Sequence, residues 1–434
     1  MNTFPFFYRD NQLYCEGVAL AELVAAVGTP VYVYSRAELL RRAEAYVMAV
    51  SPERALACYA VKANGNAALL RLLAEAGLGA DVTSGGELYL ALQAGFQPHK
   101  IIYSGVGKRP DEIEMALAAG IRALHVESAM EFDLIAALAA DRQRMTAIGV
   151  RINPNIAAET HPYISTGQKT HKFGVDVDTA VRLLHQAQTH PWLKPVGLAT
   201  HIGSQITAVS PFAESANYLV QLATELADQG IQLEYLDVGG GLGIAYGDWR
   251  SEIGDSTTQS SISNPSIFLR TGLQSPPISK WVTAVTTPVL EAGYQVVMEP
   301  GRSIVGPAGA LLTQVLYTKS QGERLFAIVD AAMNDLLRPA LYEAVHPVWR
   351  LTQSSEAAQT YEIVGPVCES GDWLAHGREI APLSPGDGLS FLQAGAYGFA
   401  MASNYNGRLR PAELLVDGRE YTLIRPRQTY ENLL

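Results

Sequence analysis

Polar side chains follow short apolar runs repeatedly in the middle of this 434-residue chain. Lys62 ends the run ALACYAV, Asp81 lies in GADVT, and Arg151 lies in GVRINPN. His201 follows LAT, and Glu299 begins EPGRS. A lysine is rarely buried without a partner, so Lys62 either reaches solvent or takes part in chemistry. One strand-end polar residue is weak evidence, but several in series predict a common site.

Glycines in two of these segments indicate the kind of ligand. Gly239, Gly240 and Gly241 follow an apolar run directly, and Gly301 precedes Arg302. Backbone without Cβ can approach a phosphate closely and donate N–H groups to it, and an arginine can add a bidentate contact. Tight turns are the plain alternative. A Rossmann motif would open the first βαβ unit, whereas this glycine run comes late in the chain.

A phosphate site and a strand-end lysine together suggest pyridoxal phosphate. The lysine amine can form a Schiff base with the cofactor aldehyde, and the ring then accepts electrons while its nitrogen stays protonated. Glu299 is placed to keep that nitrogen protonated, and His201 could lie against the ring. Lys172, the competing lysine, lies in HKFGV with no strand end before it.

The elements that must position these residues alternate between strands and helices. Apolar positions between the strands recur at helical spacing, as in NAALLRLLAEAG from Asn66. Eight βα units indicate a TIM-type (β/α)8 barrel, with a doubly wound open sheet as the alternative on pattern alone. The predicted strands are 57–62, 79–83, 100–104, 123–127, 147–152, 196–201, 234–239 and 295–299.

The pattern changes after Gly306, where five runs such as RLFAIVDAA and DGLSFLQAG predict strands with little helix. We therefore expect a C-terminal all-β domain that also uses the N-terminal strands. The predicted divisions are 1–35 for those strands, 36–305 for the cofactor-binding barrel and 306–434 for the β domain. Residues 248–277, rich in Ser, Thr, Asn and Pro, predict a polar insertion loop with no chemistry.

Composition limits the partners and the compartment. The net charge of -11 argues against nucleic acid or an anionic membrane as the main partner. The sequence has no apolar segment long enough to predict a transmembrane helix, and its first residues lack the pattern of a signal peptide. Three cysteines form no disulfide framework and fit a reducing compartment, so we expect a cytoplasmic protein.

Eight motifs, in the same order along nearly the whole chain, resemble those of diaminopimelate decarboxylases. They are YAVKAN, GADVTSGGELY, HIGSQ, GGGLGI, EPGRSIVG, NDLLRPALYEAVHP, GPVCESGDWLA and GAYGFAMASNYN. That family belongs to the fold-type III, alanine-racemase-like group of pyridoxal-phosphate enzymes. The resemblance implies a barrel followed by a β domain, and a homodimer with active sites at the subunit interface.

The resemblance also implies roles for particular residues. We expect no metal, because THP and THK near residues 160–172 do not supply a ligand cluster with convincing spacing. Lys62 is the Schiff-base lysine, His201 stacks on the ring, Glu299 faces the ring nitrogen, and Cys368 of the other subunit donates a proton. A thiol beside Glu369 is a poor nucleophile but can serve as a general acid. The cofactor-binding residues would be Lys62, Asp81, His201, Ser204, Gly240, Glu299, Pro300, Gly301, Arg302 and Tyr397. The substrate-binding residues would be Arg302, Arg338, Tyr342, Glu369 and Tyr397.

The reaction implied is decarboxylation of meso-2,6-diaminopimelate to L-lysine and carbon dioxide, the last step of lysine biosynthesis. Arg302 and Arg338 offer donors for a distal carboxylate, and Glu369 offers an acceptor for an ammonium. Two alternatives stay open at this point. One is a related decarboxylase of the ornithine, arginine or carboxynorspermidine type, and the other is a pyridoxal-phosphate-binding protein without catalysis.

Overall fold

The computed structural model describes residues 4–49, 51, 53–154, 156, 172–246 and 276–434. These residues form two compact units. One holds residues 42–244 and 276–303, and the other holds 4–41, 245–246 and 304–434, each within the described part. Of the predicted insertion at 248–277, residues 248–275 lie outside the described residues.

The chain begins with strands that belong to the second of these units. The N-terminal elements are β1 (Phe6–Arg9), β2 (Gln12–Cys15), β3 (Val18–Ala19), α1 (Leu20–Val27), β4 (Val31–Ser35) and α2 (Arg36–Val47). Strands β1, β2 and β3 form a small antiparallel sheet. The helices α1 and α2 were not predicted from the sequence.

Eight parallel strands close into a barrel, which confirms the predicted fold class and excludes the open sheet. The strands are β5 (Ala55–Ala60), β6 (Gly79–Val82), β7 (Ile101–Tyr103), β8 (Ala123–Val126), β9 (Thr146–Arg151), β10 (Leu193–Ala199), β11 (Tyr235–Asp237) and β12 (Gln295–Met298). Each overlaps one predicted strand. They were recognisable because strands buried on both faces are nearly continuous apolar runs.

Helices join successive barrel strands. They are α3 (Ala67–Glu75), α4 (Gly85–Gln93), α5 (Pro110–Ala119), α6 (Ala129–Asp141), α7 (Val177–Thr189), α8 (Ser210–Asp228) and α9 (Ile278–Glu291), followed by the short α10 (Arg302–Val305). Side-chain oxygens of Asn66, Ser84, Ser128 and Asp176 accept backbone N–H bonds at four of their starts. Such caps satisfy donors that the helix itself leaves unpaired.

Lys62 does not end a strand, contrary to the sequence prediction. Strand β5 stops at Ala60, whose N–H donates to the Pro300 carbonyl at 3.0 Å. Residues Val61–Ala63 then form a 3-10 turn that carries Lys62. An added Cβ at Gly301 would come within 3.1 Å of the Cβ atoms of Ala60 and Ala63. Glycine at 301 therefore lets the loop after β12 pack against this turn.

The second unit is mainly β, and its sheet uses an N-terminal strand, as predicted. Strand β4 lies between β13 and β19, parallel to β19 and antiparallel to β13. The C-terminal elements are β13 (Gly309–Gln321), β14 (Arg324–Val329), α11 (Arg338–Tyr342), β15 (Val348–Arg350), β16 (Gln359–Val364), β17 (Trp373–Ile380), β18 (Gly388–Phe391), β19 (Ala412–Asp417) and β20 (Glu420–Arg425). Strands β15 and β17 and helix α11 were not predicted.

The core of this unit combines both ends of the chain. Leu13 and Val33 pack in one cluster with Leu312, Trp349 and Leu414. Burying apolar side chains of this size contributes about 1.5–3 kcal/mol each. Within the described residues, no helix has the length and apolar character needed to cross a membrane.

Candidate active site

Lys62 and Asp81 form an ion pair at the end of the barrel where the strand carboxyl termini lie. The Lys62 amine is 2.5 Å from the Asp81 carboxylate, and that carboxylate is fully buried inside β6. Burial by itself would raise the pKa of Asp81. Attraction to Lys62 and the hydrogen bond from its amine outweigh burial, so the pKa of Asp81 lies below the usual value. Asp81 therefore remains an anion that holds the lysine ammonium at the barrel end.

His201 follows β10 and faces two neighbouring loops. The Gly240 N–H donates to its Nδ1 at 3.3 Å, and the same atom lies 3.9 Å from a Glu299 oxygen. Since Nδ1 accepts a hydrogen bond, the imidazole is neutral with its proton on Nε2. Burial, together with the charges of Arg151 and Lys62, lowers the pKa of His201 to about 3. A neutral imidazole suits packing against an aromatic ring.

Glu299 and Asp237 lie with His125 in a compact buried group. Each offers one oxygen or nitrogen atom within 4.8 Å of the others. Burial, then repulsion from Asp237 and Asp81, raises the pKa of Glu299 well above its usual value. Burial also raises the pKa of Asp237 to about 7, in spite of the Gly239 N–H that it accepts at 2.8 Å. Burial and the repulsion among these carboxyl groups thus favour their neutral forms.

The glycine run after β11 is required by close backbone packing. Added Cβ atoms at Gly239, Gly240 and Gly241 would overlap the carbonyl oxygens of Thr200, Glu299 and Gly203 respectively. Gly239 and Gly241 also have φ values of 69° and 101°, which side-chain-bearing residues rarely adopt. The run therefore brings bare backbone between the loops after β10 and β12.

Arg302 lies directly beyond Gly301 and is buried. Its guanidinium donates to the Ser204 hydroxyl at 3.0 Å. This contact joins the loop after β12 to the loop after β10. A guanidinium and a hydroxyl beside a glycine-lined backbone are donors of the kind that bind phosphate.

Arg151, which ends β9, belongs to the same rim. Its guanidinium pairs with the buried Glu127 at 3.1 Å. Glu127 also accepts the N–H groups of Gly105 at 2.8 Å and Gly174 at 3.1 Å. Glu127 thus ties three segments of the rim together. Sequence reasoning did not select Glu127, although it is the last residue of the fourth predicted strand.

Arg338 begins helix α11 in the β unit and is only 1% exposed. Its Nη1 lies 3.0 Å from the Nε2 of His346, and its guanidinium carbon lies 4.7 Å from the centre of the Tyr246 ring. The His346 Nδ1–H donates to the Leu392 carbonyl at 2.9 Å. Nε2 must then accept from Arg338, which requires a neutral His346. Tyr342, at the end of α11, is half-buried.

Cys368 and Glu369 are exposed on a loop whose backbone is held firmly. The buried Asp372 accepts the N–H groups of Met333 at 2.6 Å and Val367 at 2.8 Å. The Asn406 side chain accepts the Cys368 N–H at 2.8 Å. Tyr397, with a φ of 56°, is half-buried in the same unit. The exposed Cys368 thiol is therefore presented from a fixed backbone.

Comparison of the sequence with known proteins identifies the family of this chain. The family described as "Pyridoxal-dependent decarboxylase, pyridoxal binding domain" matches residues 36–306. The diaminopimelate decarboxylase of Neisseria meningitidis serogroup B is 45% identical over 419 residues, covering 96% of this chain and 95% of that protein. The chain belongs to the diaminopimelate decarboxylase family.

Solved structures of diaminopimelate decarboxylases have the same fold as this chain. The Helicobacter pylori enzyme in complex with L-lysine is 38% identical with a TM-score of 0.86, covering 95% of this chain and 98% of that one. The M. jannaschii enzyme with L-lysine is 35% identical with a TM-score of 0.89, covering 100% and 97%. The predicted family and fold class are therefore confirmed.

The residues of this family member fit pyridoxal phosphate. Lys62 supplies an amine, Glu299 a buried carboxyl group, and the Gly239–Gly241 backbone with Arg302 and Ser204 a donor-lined, side-chain-free cradle. The structure brings the predicted residues Lys62, Asp81, His201, Ser204, Gly240 and 299–302 together at one barrel end. Arg338, Tyr342, Cys368, Glu369 and Tyr397 lie in the β unit. Their individual roles remain predictions.

We predict that Asp237→Asn changes the pH dependence of stability. The pKa of Asp237 is about 7 in the folded protein, so it binds a proton below that pH, whereas an aspartate in the unfolded chain does so only near its usual pKa of 3.8. As pH rises from 4 to 7, wild type should lose stability relative to Asp237→Asn, by at most about 1.4 kcal/mol per pH unit. Denaturant unfolding of the cofactor-free proteins across this range measures the difference. The exposed Asp178→Asn serves as the control, and an Asp237→Asn difference that stays constant with pH contradicts the prediction.

Proposed function

We propose that this chain decarboxylates meso-2,6-diaminopimelate to L-lysine and carbon dioxide, the last step of lysine biosynthesis. The full-length similarity to diaminopimelate decarboxylases carries the proposal. The arrangement of Lys62, Asp81 and Glu299 at one barrel end supports it, because decarboxylation of an amino acid needs an amine-binding aldehyde and an electron-accepting ring.

The barrel residues have distinct proposed roles toward the cofactor. When bound, pyridoxal phosphate supplies a ring that accepts the electron pair of the breaking carbon–carboxylate bond. Lys62 would hold the aldehyde carbon, and Asp81 orients the amine before the cofactor arrives. Glu299 would keep a proton on the ring nitrogen, and neutral His201 would lie against the ring. Arg302, Ser204 and Gly240, with the backbone at 300–301, would hold the phosphate.

The β-unit residues have proposed roles toward the substrate. Arg338 with Arg302 would bind the distal carboxylate, and Glu369 the distal ammonium, while Tyr342 and Tyr397 complete the binding surface. The Cys368 thiol would donate a proton to the α-carbon after carbon dioxide leaves, and solvent would return the proton to sulfur. We propose a homodimer in which each subunit supplies Cys368 to its partner, since the thiol and Glu369 are exposed on this chain. The three free cysteines fit the cytoplasm, which we propose as its location.

Substrate choice provides the direct test. Carbon dioxide release from meso-diaminopimelate should exceed that from L-ornithine, L-arginine or L-lysine by at least about 100-fold, since these lack the distal carboxylate that two arginines would bind. A gas-release assay with labelled substrates at equal concentration measures this ratio. Equal or faster turnover of any of the three would refute the substrate assignment, and absence of release from all four would refute the activity.

Cofactor attachment at Lys62 has its own test. Borohydride reduction of the holoenzyme, followed by peptide mass spectrometry, should place the cofactor on the peptide containing Lys62. Lys62→Ala should lose the label, whereas the exposed Lys172→Ala should keep it. Label on any other lysine contradicts the assignment.

The role of Cys368 is tested by Cys368→Ala. We expect turnover to fall by roughly 100-fold or more, the usual contribution of a positioned general acid, with cofactor content unchanged. The buried Cys15→Ala provides a matched control, because it removes a thiol from the same unit without exposing a new surface. Unchanged turnover of Cys368→Ala would mean that another group supplies the proton.

A further inference from the structure

A line of buried polar side chains crosses the barrel interior and ends at Glu299. The Tyr235 hydroxyl lies 2.8 Å from Nε2 of His125. Nδ1 of His125 lies 3.5 Å from the Ser104 hydroxyl, which in turn donates to Glu299 at 3.3 Å. Tyr235 and His125 are fully buried, and Ser104 and Glu299 are nearly so. Strands β11 and β8 and the residues after β7 and β12 contribute one member each.

The hydrogen bonds in this line can all donate in one direction, from Tyr235 toward Glu299. Burial favours a neutral Glu299, but a protonated ring nitrogen beside it would favour the carboxylate, which only accepts, so the Ser104 O–H would then point to Glu299. The Ser104 oxygen then accepts from Nδ1–H of His125, which leaves Nε2 with a lone pair for the Tyr235 O–H. Burial lowers the pKa of His125 to about 3, with help from the positive charge of Lys108. A neutral imidazole, with one donor and one acceptor, is the form that this direction needs.

Two glycines on neighbouring barrel strands make room for the side chains of this line. An added Cβ at Gly149 would come within 2.6 Å of the His125 ring, and one at Gly197 within 2.5 Å of the Tyr235 ring. Glycines on β9 and β10 therefore leave the space that the two rings occupy. Burying a histidine and a tyrosine hydroxyl is costly unless they are hydrogen-bonded, and here each satisfies the other.

Other charged groups also face the two ends of the line. Asp81, Asp237, Lys62 and Arg151 act on Glu299, and Lys108, Asp81, Arg151 and Arg122 act on His125. One oxygen of Asp237 lies 3.8 Å from Nδ1 of His125 and has no hydrogen-bond partner within the described residues. The Nδ1–H therefore faces both the Ser104 hydroxyl and this carboxyl group.

We infer that Tyr235, His125 and Ser104 form a one-directional hydrogen-bond chain that fixes Glu299 as a carboxylate facing the cofactor's ring nitrogen, with His125 as a positioning residue. The inference rests on the proposed role of Glu299. Donors pointing along one chain strengthen one another in a low-dielectric interior. Loss of the Nδ1–H donor would leave the carboxylate less stabilised, and the shared proton would move from the ring nitrogen to Glu299.

Two substitutions at His125 separate this role from packing. Asparagine places a donor where Nδ1 lies and loses the Tyr235 contact, whereas glutamine reaches the Nε2 position and loses Nδ1. In the holoenzyme, His125→Gln and Ser104→Ala should shift the cofactor's absorption spectrum toward that of Glu299→Gln. Their kcat should fall about tenfold with KM unchanged, the effect of one lost hydrogen bond to a charged group. His125→Asn should stay closer to wild type in both measurements.

Tyr235→Phe keeps ring volume and removes only the hydroxyl, so it tests the far end with the least disturbance to folding. We expect a smaller spectral shift in the same direction. Tyr294→Phe, which removes a barrel tyrosine hydroxyl that donates to the Ala223 carbonyl, should leave the spectrum unchanged.

If Glu299→Gln shifts the spectrum while Ser104→Ala and Tyr235→Phe do not, the hydrogen-bond chain is refuted and the role of Glu299 stands. Equal effects of His125→Asn and His125→Gln also refute it. An unchanged Glu299→Gln spectrum overturns the role of Glu299 and the inference with it.

Discussion

Three carboxyl groups, Asp81, Asp237 and Glu299, are buried at one end of a barrel, and the arrangement of the site follows from this constraint. Three anions cannot share a dehydrated space without compensation. Asp81 gains it from the Lys62 ammonium at 2.5 Å. Asp237 and Glu299 instead have raised pKa values, and the two nearby histidines are neutral. The polar groups at this barrel end are therefore mostly neutral and are connected by hydrogen bonds.

Much of the barrel was predictable because its physics is visible in a single sequence. Parallel strands buried on both faces are apolar runs, and the helices between them have apolar residues at helical spacing. The residues after the strands were predictable for the same reason, since polar residues there interrupt the runs. The glycines at 239–241 stood out as a candidate phosphate site or as tight turns, and the structure adds a packing reason, because carbonyl oxygens lie where their Cβ atoms would be.

Features fixed by distant contacts were not predictable. Lys62 lies in a 3-10 turn and not at a strand end. The last backbone N–H of β5 donates to the carbonyl of Pro300, which lies more than two hundred residues later in the chain. His125 and Tyr235 resemble ordinary core residues until the glycines on neighbouring strands are seen to leave room for them. Asp372 and Asn406 hold the Cys368 loop through backbone N–H groups, and such bonds leave no mark in residue spacing. Strands β15 and β17 are partly polar and depend on their sheet partners.

The position of strand β4 has a consequence for how the chain is made. Val31–Ser35 pairs with Gly309–Leu312 on one side and with Ala412–Val416 on the other. A ribosome produces this strand early and both of its neighbours late. During synthesis of the whole barrel this strand therefore has neither of its native sheet partners, and an exposed strand edge can pair with the wrong segment. The β unit can be completed only when translation is nearly finished, whereas every strand of the barrel has by then been made.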